Sequence, residues 1–229
     1  MKTLDLLEKN IGVKFKDQDL LKSAVIHRSY LNEHKGLGID HNERLEFLGD
    51  AVLEFVVTEY LYEKYPNPEG DLTNWRSSLV NANMLSDLAE TIDLYDFMHL
   101  SRGEAKDSNL KARRYILSNA FEALIGSIYL DQGLKVVGKF IKKTVLTQLQ
   151  AILENQLHID PKSRFQEKAQ EVYGVTPHYK VLDESGPDHN KKFKVGLFID
   201  KDLVASGTGF SKQEGQVKAA AEGLKEKGW

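Results

Sequence analysis

The spacing of apolar residues changes once along this chain of 229 residues, close to Asp160, and that change constrains the fold more than any other feature. Before Asp160, apolar residues recur every three or four positions, which is typical of helices. The segments with this period lie near residues 3–10, 17–27, 42–64, 71–91, 111–130 and 133–153. The sequence therefore predicts an all-α domain over residues 1–153, in which Asp71 or Thr73 caps the fourth segment.

After Asp160 the pattern indicates a different kind of domain. The stretch "DPKSRFQEKAQEVYG" has Asp then Pro at its start and Gly174 at its end, which predicts a helix. The runs "PHYKVLDE", "KKFKVGLFID" and "KDLVASGTGF" alternate with a period of two, which predicts three strands. A last helix follows, with Ser211 and Glu214 spaced as a capping box.

The order α-β-β-β-α predicts a small α+β domain over residues 161–229, joined to the all-α domain by a linker at 154–160. The two domains differ in charge. Residues 1–160 hold 19 Lys+Arg against 24 Asp+Glu, a net charge of −5, whereas residues 161–229 hold 12 against 10, a net charge of +2. We expect the domains to have different partners, and any polyanion to bind through local basic patches.

Composition excludes several classes of protein. The chain contains no cysteine, so disulfides, thiolate zinc sites and cysteine nucleophiles are excluded. The N-terminal stretch "MKTLDLLEKN" has acids and no apolar core, unlike a signal peptide. No apolar stretch is long enough to span a membrane. We expect a soluble, cytoplasmic protein with no membrane partner.

The helical stretch "NERLEFLGDAVLEF" at 42–55 separates apolar from acidic residues. The side predicted to face the core holds Leu45, Leu48, Val52, Phe55 and Val56. The opposite side holds Glu43, Glu46, Asp50 and Glu54. Like charges one turn apart repel each other, so this side is either a solvated helix face or a place where a cation binds.

Glu122 is the one charged residue in the apolar helical stretch "YILSNAFEALIGSIYL" at 115–130. An unpaired carboxylate in such surroundings costs several kcal/mol, so it must be paired or bind a cation. One alternative is an ion pair with Arg44, Arg76 or Arg113. The other is a metal site. Asn119 and Gly126 share its helix face, and Gly126 would let a second helix approach closely.

Together, Glu46, Asp50, Asn119 and Glu122 form a set of oxygen ligands, which suits Mg²⁺, Mn²⁺ or Ca²⁺ better than zinc. A site of this kind keeps water positions open and can hydrolyse a phosphodiester. The sequence has no GxxxxGK[ST] loop, GxSxG elbow or HExxH motif, so other chemistries have little support.

Several blocks of the sequence resemble the bacterial ribonuclease III family. The stretch "NERLEFLGD" at 42–50 is similar to the family's signature. Its other blocks are matched, in the same order, by "HRSYLNE" at 27–33, "EGDLTNWRSSLV" at 69–80 and "NAFEALIGSIYLDQG" at 119–133. The stretches "GPDHNKKF" at 186–193 and "GTGFSKQEGQVKAAA" at 207–221 resemble parts of a double-stranded RNA-binding domain. The resemblance covers essentially the whole chain.

The resemblance implies a homodimer, formed through the N-terminal domain, that cuts double-stranded RNA with Mg²⁺, for which Mn²⁺ can substitute. It implies 5′-phosphate and 3′-hydroxyl ends with short 3′ overhangs, and a role in processing ribosomal, messenger and other structured RNA precursors. Glu46 matches a metal ligand, Asp50 a catalytic acid at the metal, and Glu122 a residue with both roles. Glu43 and Glu69 match accessory acids.

Asn119 departs from the family pattern, which most often has Asp there. An amide oxygen can bind a hard cation but brings no charge, so we expect weaker metal binding. The alternative function is therefore a non-catalytic double-stranded RNA-binding protein that has lost turnover through Asn119. A helical scaffold with a solvated acidic face is a third reading, but it leaves Glu122 unexplained.

The resemblance also implies an RNA-binding surface in the second domain. Duplex RNA is recognised through minor-groove and phosphate contacts. The residues expected to reach the minor grooves are Gln166, Glu167, Pro187 and His189. Those expected to face phosphates are Ser211, Lys212 and Gln213, with Lys218 as a helper. For each of these residues, an ordinary surface role remains the alternative.

Overall fold

The computed structural model describes residues 2–36, 38–154, 160–187 and 191–229. The chain divides into two compact units, Met1–His158 and Ile159–Trp229. The first unit is helical, and the second has the order α-β-β-β-α, so the predicted fold class is confirmed. Most of the predicted linker at 154–160 lies outside the described residues.

The first unit is built from helices packed around one apolar core. Its α-helices are α1 (Leu4–Ile11), α2 (Gln18–Ala24), α3 (Arg28–Glu33), α4 (Glu43–Lys64), α5 (Glu69–Val80), α6 (Ala82–Thr91), α7 (Arg102–Lys106), α8 (Leu110–Gln132), α9 (Leu134–Thr144) and α10 (Leu149–Glu154). Short 3₁₀ turns lie at Leu94–Phe97 and Leu146–Gln148. In the described ranges, no helix is both long enough and apolar enough to cross a membrane.

The predicted segment at 71–91 is two helices. The first begins at Glu69 after Pro68, so the prediction that Asp71 or Thr73 is the N-cap was wrong. The second begins after Asn81, whose side chain accepts a hydrogen bond from the N–H of Met84 at 3.0 Å. The Asn81 side chain thus ends one helix and caps the next, although the apolar pattern continues through this position. The predicted segment at 133–153 is likewise broken, by the 3₁₀ turn before α10.

Helix α4 buries a different face from the one predicted. Its buried residues are Leu45, Gly49, Val52, Leu53, Val56, Val57 and Leu61. Phe55 was expected in the core, but its side chain is 52% exposed. Phe55 follows Leu53 by two positions, about 200° around the helix, so it points away when Leu53 points inward. Leu48 is only partly buried against the core.

The second unit packs two helices, α11 (Pro161–Tyr173) and α12 (Lys212–Lys227), with a sheet of β1 (His178–Ser185), β2 (Lys192–Ile199) and β3 (Asp202–Gly209). The strands are antiparallel in the order β1-β2-β3. The core is formed by Phe165, Ala169, Leu197, Ala219 and Ala220. The C-terminal Trp229 closes it, with its ring centroid 5.1 Å from that of Phe165.

The predicted helix caps of the second unit are confirmed. The Asp160 carboxylate accepts from the N–H of Ser163, and Gly174 ends α11 in the left-handed region at φ 70°. At the start of α12, the Ser211 hydroxyl accepts from the N–H of Glu214. The Glu214 carboxylate accepts a hydrogen bond from the N–H of Phe210 at 2.8 Å, one residue before Ser211, whose N–H is the partner in a capping box.

Candidate active site and RNA-binding surface

Helices α4 and α8 touch through their backbones where Gly49 faces Gly126. A Cβ atom on Gly49 would lie 1.8 Å from the carbonyl oxygen of Glu122, and one on Gly126 would lie 2.2 Å from that of Leu45. No side chain fits at either position. The close approach expected at Gly126 is confirmed. Gly49 was overlooked, although a glycine inside a long helix, about 1 kcal/mol less favourable than alanine, was a usable signal.

This crossing brings the predicted acids of the two helices together. Burial raises the pKa of Glu122 to about 7, and the charges of Asp50 and Glu46 add to that rise. Burial likewise raises the pKa of Glu46, helped by Glu43 and Asp50, while a hydrogen bond from Asn119 opposes the rise. Glu46 on α4 and Glu122 on α8 therefore share one electrostatic environment, in which burial and neighbouring carboxylates disfavour their ionised forms.

Glu122 differs from Glu8, a buried acid of the first unit. Glu8 is 6% exposed, and its Oε1 accepts hydrogen bonds from the N–H of Phe15 at 2.7 Å and from Nε2 of Gln18 at 2.6 Å. Glu122 has no such donor or counter-ion within the described part of the chain. Its carboxylate therefore remains uncompensated by protein groups.

The arginines that were alternative partners of Glu122 lie elsewhere. Arg113 pairs with Glu90 at 3.9 Å, and Arg76 donates to a threonine hydroxyl at 3.0 Å. Arg44 is exposed at the side of α4. The alternative in which an arginine neutralises Glu122 is thus not realised among the described residues.

The donor set fits a hard divalent cation by its chemistry. Three carboxylates and one amide offer oxygen ligands and excess negative charge, which suit Mg²⁺. Oδ1 of Asn119 lies 3.3 Å from the Ser118 hydroxyl, so the amide N–H₂ faces Glu46. The amide must rotate for its oxygen to bind a cation. No three His, Cys, Asp or Glu side chains in the described ranges are already arranged around a metal position.

The two accessory acids are placed differently. Glu43 begins α4 and lies near the cluster, since its charge raises the pKa of Glu46. Its carboxylate also lies 3.6 Å from Arg28. Glu69 begins α5, accepts a hydrogen bond from the Thr73 hydroxyl at 2.9 Å, and lines a separate groove. The described structure does not bring Glu69 to the other acids.

An exposed aromatic stripe runs along α4. It consists of Phe47, Phe55 and Tyr62, which are 82%, 52% and 80% exposed. Their spacings of eight and seven residues keep them on one helix face. Phe47 borders a groove of about 680 Å³ that is also lined by Leu48 and Leu130. This stripe was not predicted from the sequence, because the apolar period placed Phe55 in the core and Phe47 and Tyr62 have no distinguishing motif.

In the second unit, the residues expected to reach the minor grooves are solvent-accessible. Gln166 and Glu167 are exposed on α11, and Pro187 is exposed after β1. His189 lies outside the described residues. These positions are free to contact a ligand, as the prediction requires, but exposure alone does not distinguish them from ordinary surface residues.

The residues expected to face phosphates lie at the start of α12. The Ser211 hydroxyl caps the helix, and Gln213 is exposed. Lys212 Nζ lies 3.8 Å from Glu184, and Lys218 Nζ lies 2.8 Å from Glu214. Both predicted lysines are thus paired with carboxylates in the free protein.

Comparisons with known proteins match both units. A family model described as Ribonuclease-III-like matches residues 17–149, and one described as Double-stranded RNA binding motif matches residues 161–227. Ribonuclease 3 of Streptococcus gordonii is 44% identical over 222 residues, covering 96% of this chain and 95% of the relative. The chain belongs to the ribonuclease III family. Ribonuclease 3 of Nitratiruptor sp. is 41% identical over 226 residues, 98% of this chain and 97% of that protein.

A solved structure supports the same assignment for the first unit. The nuclease domain of the ribonuclease III from Campylobacter jejuni matches with a TM-score of 0.54 and 38% identity, over 62% of this chain and 98% of that one. That structure was described for flexibility in a region involved in dimer formation. This chain is a ribonuclease III enzyme, with a helical nuclease unit and a double-stranded RNA-binding unit.

Proposed function

We propose that this ribonuclease III hydrolyses phosphodiester bonds of double-stranded RNA at the cluster of Glu46, Asp50 and Glu122, with Mg²⁺ bound and Mn²⁺ able to replace it. The observation that carries the proposal is Glu122, whose pKa is raised to about 7 by burial beside two other acids. Such a cluster is costly without a cation and favourable with one. The products are 5′-phosphate and 3′-hydroxyl ends.

The residues of the chain would divide the work as follows. Glu46 and Glu122 would hold the cation from two helices, and Asp50 would complete the carboxylate set. Asn119 would contribute an amide oxygen after rotating away from its contact with Glu46. When bound, a divalent cation would supply activation of water and neutralisation of the charge that develops on the phosphate. Because Asn119 adds no charge, the cation binds more weakly than it would to four carboxylates.

We further propose that two copies of the chain associate through the aromatic stripe of Phe47, Phe55 and Tyr62. Large exposed aromatic residues aligned on one helix are typical of a contact surface. A two-fold axis across α4 would set each stripe against the other copy. Phe47 of one copy would then reach the groove beside Leu48 and Leu130 of the other. The dimer formation named for the Campylobacter jejuni nuclease domain supports association of two copies.

The second unit would recruit the substrate. We propose that it binds duplex RNA by shape through Gln166, Glu167 and the residues at the start of α12, and that the substrates are structured precursors of ribosomal and messenger RNA in the cytoplasm. The family model of the double-stranded RNA binding motif over residues 161–227 supports the ligand class.

Cleavage of a long RNA duplex by the variant Glu122→Gln tests the active site. We expect cleavage in Mg²⁺ to be lost and duplex binding to persist, because the variant removes a metal ligand and leaves the second unit unchanged. Glu54→Gln, at an exposed acid of α4, controls for the loss of one negative charge and should cleave normally. Cleavage by Glu122→Gln at the parent rate would refute the assignment.

The same assay separates the enzyme from the non-catalytic alternative. A parent protein that binds the duplex but never cleaves it, together with an Asn119→Asp variant that does cleave, would show that Asn119 has abolished turnover. Slow cleavage by the parent that rises with Mg²⁺ concentration is the expected result.

Sedimentation of the variant Phe47→Asp tests association. We expect a shift from dimer to monomer, because a charge placed in an apolar interface is not solvated. Leu110 is 75% exposed at the start of α8, and Leu110→Asp serves as the matched control, which should remain dimeric. Equal sedimentation of parent and Phe47→Asp would exclude the stripe as the interface.

A further inference from the structure

Lys162 differs in its bonding from the lysines of the second unit that form ion pairs. Among the described residues of that unit, five lysines lie within 4 Å of a carboxylate, namely Lys168, Lys191, Lys212, Lys218 and Lys225. Lys162 instead donates a hydrogen bond to Oε1 of Gln216 at 2.8 Å. Gln216 carries no charge, so the positive charge of Lys162 is not neutralised by this partner.

The side chain of Lys162 is also held in place. Its Nζ lies 5.3 Å from the ring centroid of Tyr179 on β1, and the residue is half-buried at the start of α11. Fixing a free lysine costs conformational entropy when it binds a ligand. Because Tyr179 and Gln216 already fix the side chain of Lys162, most of that cost is met before a ligand arrives.

The position of this hydrogen bond relates Lys162 to RNA binding. Lys162 precedes Gln166 by four residues, so both lie on one face of α11. Gln216 follows Lys212 by four residues, so both lie on one face of α12. The bond between Lys162 and Gln216 therefore joins the helix face predicted to read a minor groove to the face predicted to meet phosphates.

We propose that Lys162, positioned by Gln216 and Tyr179, binds a backbone phosphate of the RNA duplex, a role that rests on the proposed RNA-binding surface. One of its three ammonium donors is used by Gln216, and the others can reach a phosphate oxygen. Lys212 must weaken its contact with Glu184 to bind a phosphate, whereas Lys162 loses no ion pair. The first helix of the unit thus supplies a cation as well as minor-groove contacts.

Binding of an RNA duplex of about 20 base pairs to the full-length chain in chelator, measured across salt concentrations, tests the proposal. Lys162→Met keeps an apolar stem over Tyr179 and removes the charge. Each lost phosphate contact lowers the slope of log affinity against log salt by about 0.9. We therefore expect affinity to fall about tenfold at low salt and to approach that of the parent near 1 M.

Lys168→Met is the matched control, because it removes the same charge from α11 at a residue paired with Glu171 at 2.6 Å. It should leave the salt slope unchanged. A second variant, Gln216→Glu, would place a carboxylate on Lys162 and neutralise it. We expect weaker duplex binding from Gln216→Glu, with an unchanged or higher melting temperature, since the fold gains an ion pair.

The outcomes separate this inference from the function on which it rests. A parent that binds no duplex overturns both. A parent that binds, with Lys162→Met showing the same affinity and salt slope, overturns the role of Lys162 alone. A salt-independent loss of affinity in Lys162→Met, accompanied by a lower melting temperature, assigns Lys162 to fold stability and also overturns the inference.

Discussion

Replacing Glu122 with glutamine should stabilise the protein when metal is absent, although it removes a residue of the proposed active site. The pKa of Glu122 is raised from 4.5 to about 7 in the folded chain. The folded state therefore binds this proton more tightly than the unfolded state does. The stabilising contribution of the protonated carboxyl is fully present below about pH 4.5, is lost as the pH rises towards 7, and stays lost above it. Glutamine resembles the protonated form at every pH.

The size of the effect follows from that shift. A rise from 4.5 to about 7 corresponds to about 3 kcal/mol at 1.36 kcal/mol per unit. The Glu122 side chain keeps some contact with solvent, which screens the charge, so we expect about 1–2 kcal/mol at about pH 8. In a unit of this size, that difference raises the melting temperature of Glu122→Gln by roughly 3–6 °C. At about pH 4.5 the two proteins should melt together.

Thermal unfolding followed by circular dichroism, in chelator and across this pH range, measures the difference. Glu54→Gln again controls for the loss of one charge from an acidic domain. Addition of Mg²⁺ should stabilise the parent more than Glu122→Gln and so reduce or reverse the difference, because the cation binds the folded carboxylates. Two results would contradict the conclusion that the Glu122 carboxylate is uncompensated. One is a Glu122→Gln variant that is less stable than the parent at alkaline pH. The other is a difference in melting temperature that stays the same at every pH.

Three further variants test other parts of the structure. Gly49→Ala should destabilise the nuclease unit by about 3 kcal/mol or more in denaturant unfolding, whereas Gly138→Ala, where a Cβ meets nothing within 4 Å, should stabilise it by about 0.5–1 kcal/mol. Asn119→Asp should lower the Mg²⁺ concentration for half-maximal cleavage and increase the stabilisation by Mg²⁺; if neither changes, Asn119 does not face the metal. Lys212→Ala should weaken binding to all duplex sequences alike and lower the salt slope by about one, and a sequence-selective effect would argue against a phosphate contact.

Much of the fold could be predicted because its signals are local. The alternating runs that became β1, β2 and β3, and the caps of α11 and α12, depend on neighbouring residues. The boundary between α5 and α6 could not be placed, because the apolar period continues through Asn81 and only its capping bond reveals the break. The face of α4 was wrong at Phe55, because which side of a helix is buried depends on what packs against it.

In the candidate site, too, local features could be predicted from the sequence, whereas features that depend on packing could not. Glu122 stood out as a single charge in an apolar stretch, and the structure places it beside Asp50 and Glu46. Gly49 allows the two helices to come this close, but a single sequence does not show which residue Gly49 packs against. Glu69 shared the acidic character of these residues, yet in one copy of the chain it lines a different groove. The sequence could not show that Glu122 lies beside other acids and Glu69 does not, because this depends on the distances between helices.

The contact between Gly49 and Gly126 also determines how the site can vary. Main-chain atoms, which are common to all sequences, set the separation of α4 and α8 at this point. Substitutions elsewhere in the core can change volume and stability, but they act on side chains that do not lie between these backbones. Sliding one helix along the other by a turn would bring a residue with a Cβ into the contact, so the alignment of the helices is also fixed. The positions of the acids relative to each other should therefore tolerate extensive change in the surrounding core.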